Sequence, residues 1–105
     1  MDNLYILLCC GAGMSSGFLA QQMRKAAKKR GISARIEARS QNDLSKALPD
    51  ADILLIGPHL AYAQEDLEGI CAPYGVPVRV IPKKMYGGLD GEGLLDLAIS
   101  VIEEA

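Results

Sequence analysis

Cys10 stands between the apolar run Leu4-Tyr5-Ile6-Leu7-Leu8-Cys9 and the segment Gly11-Ala12-Gly13-Met14-Ser15-Ser16-Gly17. A thiol at the end of a buried strand, followed by a glycine- and serine-rich turn into a helix, is suited to holding an anion against sulfur. The backbone supplies most of the attraction: N–H groups converge where a turn enters a helix, and the helix dipole adds partial positive charge. The same field favours thiolate over a thiol whose unperturbed pKa is about 8.5. Gly11, Gly13 and Gly17 permit close approach of an anion to the main chain, and Ser15 and Ser16 offer hydroxyl donors or a helix cap. The segment contains no lysine or arginine.

Spacing separates the phosphate chemistries that such a segment could serve. A Walker A loop requires G-x-x-x-x-G-K-[ST], yet the residues five positions after Gly11 and Gly13 are Ser16 and Phe18, and no lysine follows. A dinucleotide fingerprint requires G-x-G-x-x-G; Gly11, Gly13 and Gly17 are spaced one residue too far, although Glu37 falls where a ribose-binding acid would sit. A cysteine phosphatase places an arginine six residues after its nucleophile to clamp the phosphoryl group. Counting from Cys10 reaches Ser16 and from Cys9 reaches Ser15, and no Asp-Pro pair offers a general acid. A thiol that accepts a phosphoryl group and passes it on is the better chemical reading, with a low-molecular-weight cysteine phosphatase-like protein as the weaker one.

The elements that must position this thiol alternate along the chain. Strands are expected at Leu4 to Cys9, Ala34 to Ala38, Ile53 to Ile56 and Val76 to Ile81, and helices at Ser16 to Lys29, Asn42 to Ala47, Ala61 to Ala72 and Gly91 to Glu104. Gly31 is expected to end the first helix, and Gly57-Pro58 the third strand. Such alternation predicts a single small α/β domain, residues 1–105, doubly wound, with a four-stranded parallel sheet covered by helices on both faces. Ligands gather at the carboxyl ends of strands in that architecture, which brings Cys10 and the turn at Gly57-Pro58-His59 toward one crevice. His59, Tyr62 and Tyr86 are therefore candidate loop or partner contacts, the two tyrosines being expected to pack at the crevice with their hydroxyls at its rim.

Composition narrows the function further. With 105 residues, half of them apolar, the chain suffices for one core but hardly for two. A net charge of −2 argues against nucleic-acid binding. The basic cluster Arg24-Lys25 with Lys28-Lys29-Arg30 is expected to be a solvated helix end, with an acidic docking partner as the other reading. One histidine and three cysteines without ligand spacing give no metal site, and no cofactor is expected. No stretch approaches the ~20 apolar residues of a membrane span, so a cytoplasmic location without direct membrane insertion is expected.

The segment Leu8 to Ser16 resembles the C-[SAG]-[AG]-G-M-S-[ST] loop of the enzyme IIB components of the bacterial phosphoenolpyruvate:sugar phosphotransferase system, lactose/cellobiose (chitobiose) type. Gln22-Met23, Ala26-Ala27, Ile36-Glu37-Ala38, Ala51 to Pro58 with Ala61-Tyr62, Tyr86-Gly87 and Asp90-Gly91 extend the resemblance along the chain. It implies a phosphoryl carrier. Cys10 would take the phosphoryl group from a phosphohistidine of a IIA partner and deliver it to a sugar held in a IIC membrane transporter. Gly11, Ala12, Gly13, Met14, Ser15 and Ser16 would cradle the phosphoryl oxygens. The glycine-methionine-serine register selects Cys10 as nucleophile and leaves Cys9, like Cys71, as a buried apolar residue. Gly17-Phe18-Leu19 departs from the family's usual helix start. A non-catalytic, regulatory relative of the same fold is the alternative function.

Overall fold

The computed structural model describes residues 3–9, 14–40 and 43–104, with residues 14–16 described by their backbone alone. Strand β1 (Leu4–Cys9) leads to helix α1 (Met14–Lys29), followed by β2 (Ala34–Arg39) and the single turn α2 (Leu44–Ala47). After a 3₁₀ turn at Leu48–Asp50 come β3 (Ile53–Ile56), a 3₁₀ turn at Pro58–Ala63 and α3 (Gln64–Cys71). Another 3₁₀ turn, Ala72–Tyr74, precedes β4 (Val78–Val80), α4 (Lys83–Gly87) and α5 (Gly91–Glu104). The strands pair in the order β2-β1-β3-β4, all parallel, as the alternation predicts.

The near-continuous apolar sequence of β1 and β3 follows from their central places in this order. Ile6, Leu8, Ile53 and Leu55 face α1 and α5, where Leu19, Met23, Leu94, Leu95 and Ala98 meet them. Tyr5, Leu7, Cys9, Leu54 and Ile56 face the other way, under Leu44, Leu48, Leu60, Leu67 and Cys71. Successive side chains on a strand point to opposite faces, so a strand covered on both sides can spare no polar position. Each edge strand is broken up differently. On β2, charged Arg35, Glu37 and Arg39 alternate with Ala34, Ile36 and Ala38, while β4 is three residues long with Pro77 just before it and Pro82 just after Ile81.

Two glycines set the helix positions. Gly31 has φ +69° and ends α1, its N–H donating to the Lys28 carbonyl at 3.2 Å while Ile32 N–H donates to Ala27 at 2.9 Å. Gly91 begins α5 against the flank of α1, where an added Cβ would stand 2.5 Å from the backbone carbonyl carbon of Gln22.

Some expected boundaries move for local reasons. The fourth strand starts at Val78 rather than Val76, because Pro77 has no N–H for the ladder and contributes only its carbonyl, which accepts from Leu54 N–H at 2.9 Å. The expected helix from Ala61 to Ala72 is a 3₁₀ turn, a two-turn α-helix and a second 3₁₀ turn, with Pro58 in the first turn of the leading segment. Helix α1 starts two residues early, at Met14, and α2 starts at Leu44, Asn42 lying outside the described residues. Helix α4 has no counterpart among the expected elements.

Candidate functional site

The strand order places the candidate site. From β1 the chain crosses over α1 to β2 on one side, whereas β3 and β4 lie on the other, so connections diverge at the carboxyl ends of β1 and β3 and open a crevice. Cys9 is the last residue of β1 and is fully buried, as expected of an apolar strand residue. Cys10, Gly11, Ala12 and Gly13 come next and lie outside the described residues; Met14, Ser15 and Ser16 form the first turn of the 16-residue helix α1.

Hydrogen bonds carry the sheet to the very end of its strands. Gly57 N–H donates to the Cys9 carbonyl at 3.0 Å, and Ile81 N–H donates to the Ile56 carbonyl at 2.8 Å. These bonds bring the turn after β3 and the turn after β4 alongside each other. Pro58, His59, Lys83, Tyr86 and Gly87 line an open depression of about 450 Å³ there. Within it His59 and Tyr86 pack edge to face, ring centroids 5.8 Å apart and planes inclined by 64°.

The expected residues thus separate. His59 and Tyr86 come together, whereas Tyr62 is 83% exposed and does not line this depression. The expectation that Tyr62 packs at the crevice is corrected by the 3₁₀ geometry of its segment. With three residues per turn, Leu60 and Ala63 share the buried side and Tyr62 is carried outward. Cys71 is fully buried in the core beneath α3, and burial pushes its thiol pKa up, the opposite of what a nucleophile requires. Sequence reasoning missed Lys83. The rule that ligands collect at carboxyl ends applies to β4 as to β1, and the lysine two residues beyond Ile81 was the available signal.

On the other flank, at the end of β2, Arg24, Glu37, Ala38, Arg39, Ser40 and Asp43 line a depression of about 300 Å³. Arg24 Nε donates to the Ile36 carbonyl at 2.8 Å, tying α1 to the edge strand. Glu37, which occupies the place of a ribose-binding acid, is instead the centre of a structural network. Its Oε1 accepts from the Tyr5 hydroxyl at 2.7 Å and from Arg39 Nη2 at 2.8 Å, and its Oε2 accepts from Arg35 Nε at 2.7 Å. The Arg35 guanidinium also lies over the Tyr5 ring, 4.6 Å from its centroid. The Tyr5 hydrogen bond, followed by those of the two arginines, holds the Glu37 carboxyl at about 2 rather than its ordinary 4.5, against the opposing pull of partial burial.

A stability dependence on pH follows. A carboxyl with a depressed folded-state pKa contributes stability that is complete above its unfolded value and fades as pH falls through the folded one. Between pH 6 and pH 2 the wild-type protein is therefore expected to lose about 2 kcal/mol that Glu37→Gln does not lose. Urea denaturation of both proteins at the two pH values measures this; parallel losses would show that Glu37 is not responsible.

Part of the basic cluster is accounted for by α5. Arg30 Nη1 lies 2.6 Å from Asp96 Oδ1 and Lys29 Nζ 3.8 Å from Glu92 Oε1, all four side chains well exposed, so these pairs add little stability. Among the described residues no group of three His, Cys, Asp or Glu side chains is placed to hold a metal ion, and no helix is long and apolar enough to cross a membrane.

Comparison with known proteins now adds to this geometry. Residues 5–97 match the family model for the PTS system, Lactose/Cellobiose specific IIB subunit. The chain belongs to this IIB family. It is 33% identical over 97 residues to the oligo-beta-mannoside-specific EIIB component of Bacillus subtilis (strain 168), covering 92% of this chain and 94% of that one. It is 35% identical over 103 residues to the cellobiose-specific EIIB component of Lactococcus lactis subsp. lactis (strain IL1403), covering 93% and 95%. The solution structure of the cellobiose-specific IIB component from Borrelia burgdorferi superposes with a TM-score of 0.81 at 38% identity, covering 98% of this chain and 94% of that one. A lactose-specific EIICB component of Lacticaseibacillus casei matches 97% of this chain with 17% of its own length, at 26% identity. In that relative the IIB-like part belongs to a much longer chain. PTS IIB components act as phosphotransferases in sugar transport.

Proposed function

We propose that residues 1–105 form one IIB domain, a phosphoryl carrier whose Cys10 takes the group from a phosphohistidine of a IIA protein and gives it to a sugar bound in a IIC transporter. The observation that carries the reading is the place of Cys9, the residue before Cys10: Cys9 ends β1 where the strand order reverses, and a helix of sixteen residues begins at Met14. The family match supports the same role. Relatives that carry the name EIICB support association with a IIC part, and the work is proposed to be done on the cytoplasmic side of the membrane.

In the transfer step the Cys10 thiolate attacks phosphorus. The S–P bond forms as the P–N bond to the donor imidazole breaks, and that nitrogen keeps the electron pair. Backbone N–H groups of residues 11–16 and the positive end of the α1 dipole stabilise the phosphoryl oxygens throughout. The second transfer reverses these roles: a sugar hydroxyl attacks phosphorus and gives up its proton to solvent, the O–P bond forms as the S–P bond breaks, and sulfur keeps the electron pair as thiolate. A carrier must release what it binds, and a cradle made of dipoles suits that better than an arginine clamp.

The test is reconstitution with phosphoenolpyruvate, the two general phosphotransfer proteins and a cognate IIA. Intact mass is expected to show one added phosphoryl group, lost again when IIC-containing membranes and sugar are supplied. A chain that gains no mass under conditions that phosphorylate the IIA would overturn the proposal.

A further inference from the structure

Residues 58–74, which comprise α3 and the 3₁₀ turns on either side of it, bury one line of side chains and expose another. Leu60, Ala63, Leu67 and Cys71 recur at three- and four-residue intervals and are buried against the sheet. One residue ahead of the last three stand Tyr62, Asp66 and Ile70, with Tyr74 four residues further on, all of them exposed. They form a ridge along the outside of this layer. Three of the five large apolar side chains exposed among the described residues, Tyr62, Ile70 and Tyr74, lie on it. The ridge starts at the carboxyl end of the sheet, just past the turn in which Gly57 N–H donates to the Cys9 carbonyl.

Its charge is one-sided. Between Lys46 and Arg79 the chain has no lysine or arginine. Glu65, Asp66 and Glu68 are exposed on or beside the ridge, and among the described residues no cation pairs with them, whereas Glu37, Glu92 and Asp96 are each paired with one or more. The α3 dipole accounts for Glu65 and Asp66 in its first turn, but neither for Glu68 nor for the exposed tyrosines and isoleucine.

We propose that this acidic, aromatic ridge is the surface on which the protein docks to the cytoplasmic face of the IIC transporter. The inference rests on the carrier function proposed above and assigns one partner of that function to one face of the domain. The occupant follows from charge. Cytoplasmic loops of membrane-spanning proteins carry an excess of lysine and arginine, and a surface with carboxylates and no cations is complementary to them. The basic end of α1 belongs to the layer on the opposite face of the sheet, and the same loops would repel it. The domain is therefore oriented with α3 toward the transporter and α1 away from it. The carboxylates steer the approach, and Tyr62, Ile70 and Tyr74 give up their contact with water once seated.

The second transfer tests this, from the phosphorylated full-length chain to sugar in IIC-containing membrane vesicles, with the concentration of the chain varied. Tyr62→Ser with Ile70→Ser, and separately Glu65→Gln with Asp66→Asn and Glu68→Gln, are each expected to raise the KM for the chain about tenfold while kcat changes less than about twofold. The charge variant is also expected to lose most of the dependence of KM on salt. Both variants should accept the phosphoryl group from phosphorylated IIA at the wild-type rate, which also reports an intact fold. Glu103→Gln with Glu104→Gln removes exposed acids from the end of α5 and is expected to leave both transfers unchanged. An unchanged KM in the ridge variants, an equal loss in the transfer from IIA, or an equal rise in the α5 variant would each overturn the docking surface and leave the carrier function standing. A wild-type chain that gains no phosphoryl group, or gains one that IIC and sugar never discharge, would overturn both.

Discussion

Cys10→Ser is expected to lose phosphoryl acceptance from a phosphorylated IIA by a factor on the order of 10³ or more, while Cys9→Ser keeps the adduct and loses stability instead. The two thiols are neighbours in sequence and opposites in environment. Cys9 closes β1 on the face packed against Leu44, Leu48, Leu60 and Leu67, with none of its surface exposed, so a nucleophile there could not reach a partner protein. A hydroxyl in its place would be an added polar group in an apolar layer, costing about 1–3 kcal/mol if its hydrogen bonding is incomplete. Intact mass after incubation with the donor reports the first effect, and thermal melting the second. The reverse pattern, an adduct retained by Cys10→Ser and lost by Cys9→Ser, would move the nucleophile into the strand and refute the assignment.

Gly91→Ala is expected to cost about 3 kcal/mol, a large effect for one methyl group. Its Cβ would stand 2.5 Å from the Gln22 carbonyl carbon and 2.7 Å from the carbonyl oxygen, and backbone atoms in mid-helix cannot move aside as a side-chain tip can. Relief would require α5 to lift from α1, loosening the layer of Leu19, Met23, Leu94 and Leu95 that covers one sheet face. For a domain of this size the melting temperature should fall by more than about 10 °C. Gly69 provides the control. It lies within α3 with no atom within 4 Å of an added Cβ, so Gly69→Ala should stabilise the protein by about 0.5–1 kcal/mol through helix propensity alone. Calorimetry on the two variants should give shifts of opposite sign; equal shifts would mean that the α1 to α5 contact is not tight at Gly91.

Much of this architecture was legible in the sequence because its signals are local. β1, β3 and α5 begin and end where their apolar runs and periodicity say they should, and Gly31 stops α1 through its left-handed backbone. Tyr62 was misread because the turn after β3 was expected to face the crevice as a whole, whereas it winds with three residues per turn and carries Tyr62 outward. Helix α4 escaped notice because Lys83-Lys84-Met85-Tyr86-Gly87 is too short to display a period at all. The candidate site divides in the same way. Cys10 was proposed from residue types along one segment and from that segment's resemblance to the IIB family, whereas His59, Lys83 and Tyr86 come together only through the order β2-β1-β3-β4, a property of long-range pairing that no spacing within a segment encodes. Glu37, noted only as falling where a ribose-binding acid would sit, fastens the sheet edge instead: Tyr5 reaches it from the neighbouring strand β1, and Arg35 and Arg39 from two residues to either side on β2.

The blunted sheet edges determine how this molecule can meet others. An incoming strand would find only three residues of ladder on β4, with a proline near either end, and on β2 a row in which every second side chain is charged. Strand addition, which recruits partners by extending a ladder, is therefore a poor route of association. Encounters are left to rigid side-chain surfaces that need little reordering on contact or on departure. For a carrier of the kind proposed, which would visit two partners in every cycle, brief contacts of that sort would keep the residence time short and the relay turning over.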